Sequence, residues 1–404
     1  MKTQKTRRVM TLLGPAFVAA VAYVDPGNFA ANFSAGAQYG YLLLWVLIVA
    51  NLMAVLVQYL SAKVGLVTGQ SLPEVIATKL GRNNRIAYWL QAEAVAIACD
   101  IAEVVGGALA LNILFNVPLV LGGIIVAIVS MLLLVVYEQP EKKYFERMVM
   151  LLLIIIPLGF IVGLINYPPD IREMLGGVVP RFQGTETVLL AAAMLGATIM
   201  PHVVYLHSAL ARDRHGKVNK PELKRYLRAT KFDVGIAMVV AGSVNISMLL
   251  LAASALRGNE AVESFQGIFG ALSTDTSQLV ALLFAIGLLV SGLTSTSVAS
   301  QAGSVIMHGL LKKKVNVYLR RLVTIIPAFI IIIVGFDPST ALIISQVVLS
   351  FGVPFALVPL AMVTSSRRIM GDQTNPKLVT YLVWGIAGVV SVLNIALIVL
   401  TFTG

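Results

Sequence analysis

Long apolar stretches, each closed by a short polar or Gly/Pro-bearing segment, recur from one end of the chain to the other. A helix needs roughly 20 such residues, at about 1.5 Å each, to cross about 30 Å of hydrocarbon. The pattern predicts spans over 11–38, 41–62, 86–115, 118–137, 148–167, 188–211, 233–256, 278–310, 322–336, 340–363 and 379–402. Eleven helices fill the 404 residues and leave no room for a sizeable soluble domain. Composition agrees: 58% of residues are hydrophobic, 12% are charged and the mean hydropathy is +0.88. No soluble surface tolerates that balance, so the expected fold class is an all-α membrane protein.

Lys and Arg test the assignment independently, because they accumulate on the cytoplasmic side. With the N-terminus inside, only Arg172, Arg181 and Arg257 fall outside, leaving 27 of the 30 basic residues in inner segments. The topology is N-inside and C-outside, in a multi-pass protein of the plasma (bacterial inner) membrane. Orientation thus accounts for the net charge of +11, and a nucleic-acid partner loses its support. The one cysteine, Cys99, excludes an internal disulfide or a Cys-rich metal site.

The first span is interrupted by Asp25-Pro26-Gly27-Asn28. One reading is processing, with a basic n-region, a short h-region and Ala20-Val21-Ala22 as a cleavage site. Ten further spans argue against it. A second is an ordinary helix start, Asp as N-cap and Pro at the first helical position, which does not explain a turn at this depth. The third is a discontinuous helix whose broken middle binds a ligand, as in transporters built on inverted repeats. Such folds require a second break, and Met200-Pro201-His202 interrupts the sixth span, Pro201 lying 175 residues after Pro26. First and sixth are equivalent positions in a five-plus-five repeat whose halves, each an odd number of spans, sit in opposite orientations.

The residues at these breaks resemble the Nramp family of divalent metal transporters, in particular its bacterial proton-coupled manganese branch. "GPAFVAAVAYVDPGNFA", "YWLQAEAVAIACDIAE", "GATIMPHVVYLHSAL", "SQVVLSFGVPFALVPL" and "MGDQTNPK" carry the resemblance over nearly the whole chain. It implies a LeuT-like fold, with repeats over 1–170 and 180–365 and an additional helix over 375–404. One stretch departs: in Ser295–Gly309, Ser304 and His308 stand where the family has glutamines.

Asp25 offers an anionic oxygen and Asn28 a neutral one, and half-helices ending near Ala22 and Ala197 aim their negative dipole ends at the gap. The resemblance assigns the carbonyls of Ala22 and Ala197 as ligands, and Gln346 as a ligand in some states. Met200 adds a thioether, which favours softer transition metals over Ca²⁺ or Mg²⁺; beside Pro201 it reads as a ligand rather than as core. Buried carboxylates on membrane helices cost roughly 2.5–3.5 kcal/mol and mark pathways. Glu93 and Asp100 lie within about 20° of one another on the third helix and Glu103 a turn further on, a single stripe with Arg321 as its partner. We read this stripe, with Asp25, His202 and His207, as a proton route, as the resemblance also implies. His202 and His207 stand about 140° apart and do not chelate one ion together. Asp233, Asn245 and Asn394 read only as helix-to-helix hydrogen bonders.

The expected activity is import of Mn²⁺, with Fe²⁺ and similar ions, coupled to protons by alternating access. Its partners are divalent ions, protons and the lipid bilayer, with no permanently bound cofactor and no obligatory protein partner. A metal channel or uniporter is one rival. An amino-acid transporter of the same fold is another, although Asp25 would repel a substrate carboxylate. An enzyme is disfavoured, since no His-Glu-x-x-His, paired aspartate or Ser-Gly signature occurs.

Overall fold

The computed structural model describes residues 14–138, 157, 159–258, 264–313 and 316–403. The first predicted span is two half-helices, α1 (Pro15–Ala22) and α2 (Pro26–Tyr39). They are followed by α3 (Leu44–Thr68), α4 (Leu72–Ala77), α5 (Arg82–Phe115) and α6 (Leu119–Glu138). The fifth span is helical over 159–166; its residues 148–156 and 158, like residues 11–13 of the first, lie outside the described residues. The sixth span is again two half-helices, α7 (Gly184–Ile199) and α8 (Pro201–His215). Then come α9 (Lys220–Ala255), α10 (Gln278–Leu311), α11 (Val317–Thr324), α12 (Ile326–Val334), α13 (Pro338–Thr364) and α14 (Lys377–Thr403).

Among the described residues, eight stretches are long and apolar enough to cross a membrane. The first span is absent from these eight because three non-helical residues, Tyr23, Val24 and Asp25, part its short halves, whereas Met200 alone parts those of the sixth; of the fourth, the stretch Leu119–Val135 is apolar but short. The seventh helix starts at Lys220 instead of 233, because a polar extension bearing Lys224, Arg225 and Arg228 continues the helix beyond the apolar run that hydropathy detects. The ninth begins earlier and is broken at Ile325, just before Pro327, which cannot supply an interior helical N–H.

Both breaks lie in the core. The helix pairs α5 with α10, α2 with α9 and α7 with α13 pack extensively, and α8 and α9 both pack on α3. Each break proline rests on a glycine of a neighbouring helix. A Cβ on Gly106 would collide with Pro26, and one on Gly352 would lie 2.9 Å from Pro201 Cγ. Phe29 and Phe33 of α2 pack against Phe160 and Phe284, with Phe33 and Phe284 edge to face at 4.8 Å.

Candidate metal site

In a helix the carbonyl of residue i accepts from the N–H of residue i+4, and proline has none. Pro26 therefore frees the carbonyl of Ala22, and Pro201 that of Ala197. The other carbonyls of the first break are claimed. Tyr23 O accepts from Asn245 Nδ2 at 2.9 Å, Val24 O from the Ser291 hydroxyl, and Asp25 O from Phe29 N at 3.2 Å. Among the described residues Ala22 O receives no such bond. Buried backbone acceptors are rarely left so, and this one closes α1 at the edge of the break.

Asp25 is the N-cap of α2, and its Oδ1 accepts from Asn28 N at 2.8 Å. The same oxygen accepts from Asn28 Nδ2 at 2.7 Å, and that nitrogen also donates to Ala197 O at 3.2 Å. Asn28 therefore joins the two breaks, its amide nitrogen lying between two acceptors from opposite halves of the chain. Gln346 on α13 donates from Nε2 to Asp25 Oδ2 at 3.3 Å. Both amides leave their oxygens buried without donors, Asn28 Oδ1 and Gln346 Oε1. Asp25, Asn28, Met200 and Gln346 are all 0% exposed, so the group is sealed from both faces. Met200 is the single residue joining α7 to α8, and it packs in the same buried cluster as Ala22, Tyr23 and Val24.

This donor set fits a divalent cation. One carboxylate, two amide oxygens, two freed carbonyls and a thioether offer only acceptors once the amides turn their oxygens inward. Among the described residues no group of three or more His, Cys, Asp or Glu forms a metal cluster.

A polar chain leads away from the breaks. His202 Nε2 lies 3.6 Å from Cys99 Sγ, whose S–H donates to Glu103 Oε1 at 3.6 Å. Glu103 Oε2 lies 3.6 Å from Arg321 Nη1, which is paired with Asp100. Glu93 pairs with Arg320 at 2.8 Å. The acidic stripe is thus met by two arginines of α11, and the sequence reading named only Arg321. Ten residues of rise, about 15 Å, separate Glu93 from Glu103, more than one side chain bridges; the second basic residue of "RR" was the available signal. Cys99 was also missed as a link, because its partners come from α5 and α8.

His207 does not join this chain. Its Nδ1 lies 2.7 Å from Gln58 Oε1, and Gln58 in turn donates to the Tyr23 hydroxyl, forming a second string that ends at the first break. Asp233 accepts from Gly14 N at 3.1 Å and Ala16 N at 3.1 Å, capping α1 from another helix. Asn245 holds Tyr23 O and Asn32, while Asn394 exchanges hydrogen bonds of 2.8 Å with Ser350. Ser304 bonds back to its own helix at Ser300 O, and His308 is exposed in the last turn of α10, so neither reaches the breaks.

The profile described as natural resistance-associated macrophage protein-like (Nramp) matches residues 16–400. A divalent metal cation transporter MntH from Mycobacterium tuberculosis is 56% identical over 394 residues, 97% of this chain and 92% of the relative. A crystal structure of the Eremococcus coleocola manganese transporter superposes with a TM-score of 0.85 at 30% identity, covering 96% of this chain and 86% of that one. At 15% identity, Mhp1, a nucleobase-cation-symport-1 family transporter, shares the fold with a TM-score of 0.59 over 88% of this chain and 79% of its own.

Proposed function

The chain belongs to the Nramp family, and from that membership we propose that it imports Mn²⁺, with Fe²⁺ as a further substrate, by proton-coupled alternating access. It is a multi-pass membrane transporter, not an enzyme, and divalent metal ions are its substrates. The observation that carries the reading is the Asn28 amide held between Asp25 Oδ1 and Ala197 O, with its own oxygen and that of Gln346 unpartnered.

An entering cation takes the place of the Asn28 amide nitrogen, since both are positive poles between the same acceptors. Asp25, Asn28, Met200 and the carbonyls of Ala22 and Ala197 then face the ion, with Gln346 joining in the sealed state. Asp25 holds either a metal or a proton, and a proton lost on metal binding travels by way of His202, Cys99, Glu103 and Asp100 toward the basic face, with Arg321, which stays protonated, holding the two carboxylates of that route. Glu93 extends that route through Arg320. The string from Tyr23 through Gln58 to His207 supports a second polar contact with the first break.

Two inverted repeats, 1–170 and 180–365, move against each other around the breaks, with 375–404 outside the repeat. The charge count supports a cytoplasmic N-terminus and an extracytoplasmic C-terminus, and the bacterial relatives support residence in a bacterial plasma membrane.

The deciding experiment uses reconstituted vesicles. An imposed proton gradient is expected to drive Mn²⁺ above its equilibrium distribution, with accumulation abolished in Asp25→Ala. Uptake that only equilibrates and ignores the gradient would establish the channel reading instead.

A further inference from the structure

Two adjoining cavities on the face opposite the basic loops take no part in the metal site. One is an apolar groove of about 640 Å³ between α3, α7 and α14, with Leu195 and Val392 in its walls and Gly385 and Gly388 along α14. A Cβ on either glycine would meet nothing within 4 Å, so this side is open to the groove. From Gly385 to Ala396 the groove follows α14 for about 16 Å of helix, half of a hydrocarbon core about 30 Å thick. It is one leaflet deep. The rings of Trp45 and Phe182, edge to face at 5.4 Å, stand at its outer end.

The second cavity, about 500 Å³, shares Phe182 with the first and is lined by Tyr39, Tyr41, Glu173, Arg181 and Arg257 among others. Of the three basic residues assigned to this side of the membrane, two converge here. The rule that places basic residues on the cytoplasmic face does not account for them. Arg257 is paired with Glu173 at 2.6 Å, whereas Arg181 is exposed and has no carboxylate partner among the described residues.

A groove this apolar does not hold water, and inside a bilayer the alternative occupant is an alkyl chain. Its one-leaflet depth matches an acyl chain entering from the outer side, and the guanidinium at its mouth matches a phosphate. We propose that the two cavities form a binding site for one anionic phospholipid of the extracytoplasmic leaflet, with its phosphate on Arg181 and an acyl chain along Gly385 and Gly388. The inference depends on which face is outside and not on which metal is carried.

The test is native mass spectrometry of the full chain released from bilayers of equal phosphatidylglycerol and phosphatidylcholine. The expected result is a one-to-one phosphatidylglycerol adduct. Gly388→Leu, whose side chain enters open space, should cut the adduct about tenfold. Arg181→Gln, a change at an exposed position, should keep a lipid but lose the preference for phosphatidylglycerol. No adduct, equal retention of both lipids by the wild type, or an adduct unchanged in both variants overturns the proposal. So does a dimer that Gly388→Leu dissociates, which would make a second copy the occupant.

Discussion

Gln346 donates to the carboxylate of Asp25 across 3.3 Å, and the space it occupies exists only because residue 27 is glycine. A Cβ on Gly27 would overlap the Gln346 side chain. Gly27→Ala is therefore expected to lower both Mn²⁺ uptake and thermal stability, the latter by about 1–3 kcal/mol as overpacking does. Adding Gln346→Ala should restore stability without restoring uptake. Uptake assays and melting curves on the single and double variants check this, and a Gly27→Ala protein with wild-type behaviour in both would show that the contact is not limiting.

Met200 is buried, so truncating it mixes packing with chemistry. Met200→Leu keeps the volume at a cost below about 1.5 kcal/mol and removes only the thioether. This variant should retain Mn²⁺ transport while losing much of its discrimination against Ca²⁺, read from competition in uptake. Unchanged exclusion of Ca²⁺ would assign Met200 to the core.

Pro201→Ala returns an N–H four residues after Ala197 and invites that carbonyl back into a helix. Apparent Mn²⁺ affinity is expected to fall about tenfold, equivalent to about 1.4 kcal/mol. Folding should be preserved, since alanine is the better helix former. Concentration-dependent uptake beside a melting curve separates the two effects.

Arg321 is 1% exposed and pairs with Asp100 while lying 3.6 Å from Glu103. Removing one partner of a buried pair costs about 3–5 kcal/mol, because the other charge is left behind. Arg321→Met should destabilise by that order, and Arg321→Met with Asp100→Leu should recover part of the loss. Proton movement during Mn²⁺ uptake, followed with a pH-sensitive dye in vesicles, should stay impaired in both. Normal coupling in the double variant would reduce the stripe to a structural ion pair.

Outside the spans, burial pushes the Glu74 carboxyl up, but hydrogen bonds from Ser71 N at 2.6 Å and Ser71 Oγ at 2.8 Å, with Arg212, outweigh it and hold the group below its usual range. A lowered folded value stabilises above the unfolded value of about 4.3 and is lost as pH falls through the folded one. The melting difference between wild type and Glu74→Gln should thus be constant near neutral pH and vanish under acid. A difference that grew on acidification would contradict this arrangement. Arg212 sits in the last turn of α8, so the same contact ties the second half of the broken sixth helix to α4.

Features set by neighbouring residues were legible in the sequence. Asp25 before Pro26 announces a cap and a first helical turn, Pro201 repeats the interruption, and the stripe from Glu93 to Glu103 follows from helical periodicity alone. Features set by distant residues were not. The bond from Asn28 to Ala197 O spans 169 positions, and Asn245 reaches Tyr23 O across 222, so nothing local marks either. Asp233 could be recognised as a buried hydrogen bonder but not as the cap of α1, whose first N–H groups it serves from another helix. Helix ends escaped for a different reason: hydropathy reports where lipid begins, while α9 continues through its charged first turns.

The two prolines separate the genetic position of a ligand from its chemical position. An oxygen at Ala22 or Ala197 cannot be removed by changing the side chain there, since every amino acid carries the same carbonyl. It is switched on or off by the residue four places downstream. A saturation-mutagenesis map of transport would therefore record these two contacts at the wrong addresses, as tolerance of small residues at 22 and 197 and intolerance of change at 26 and 201.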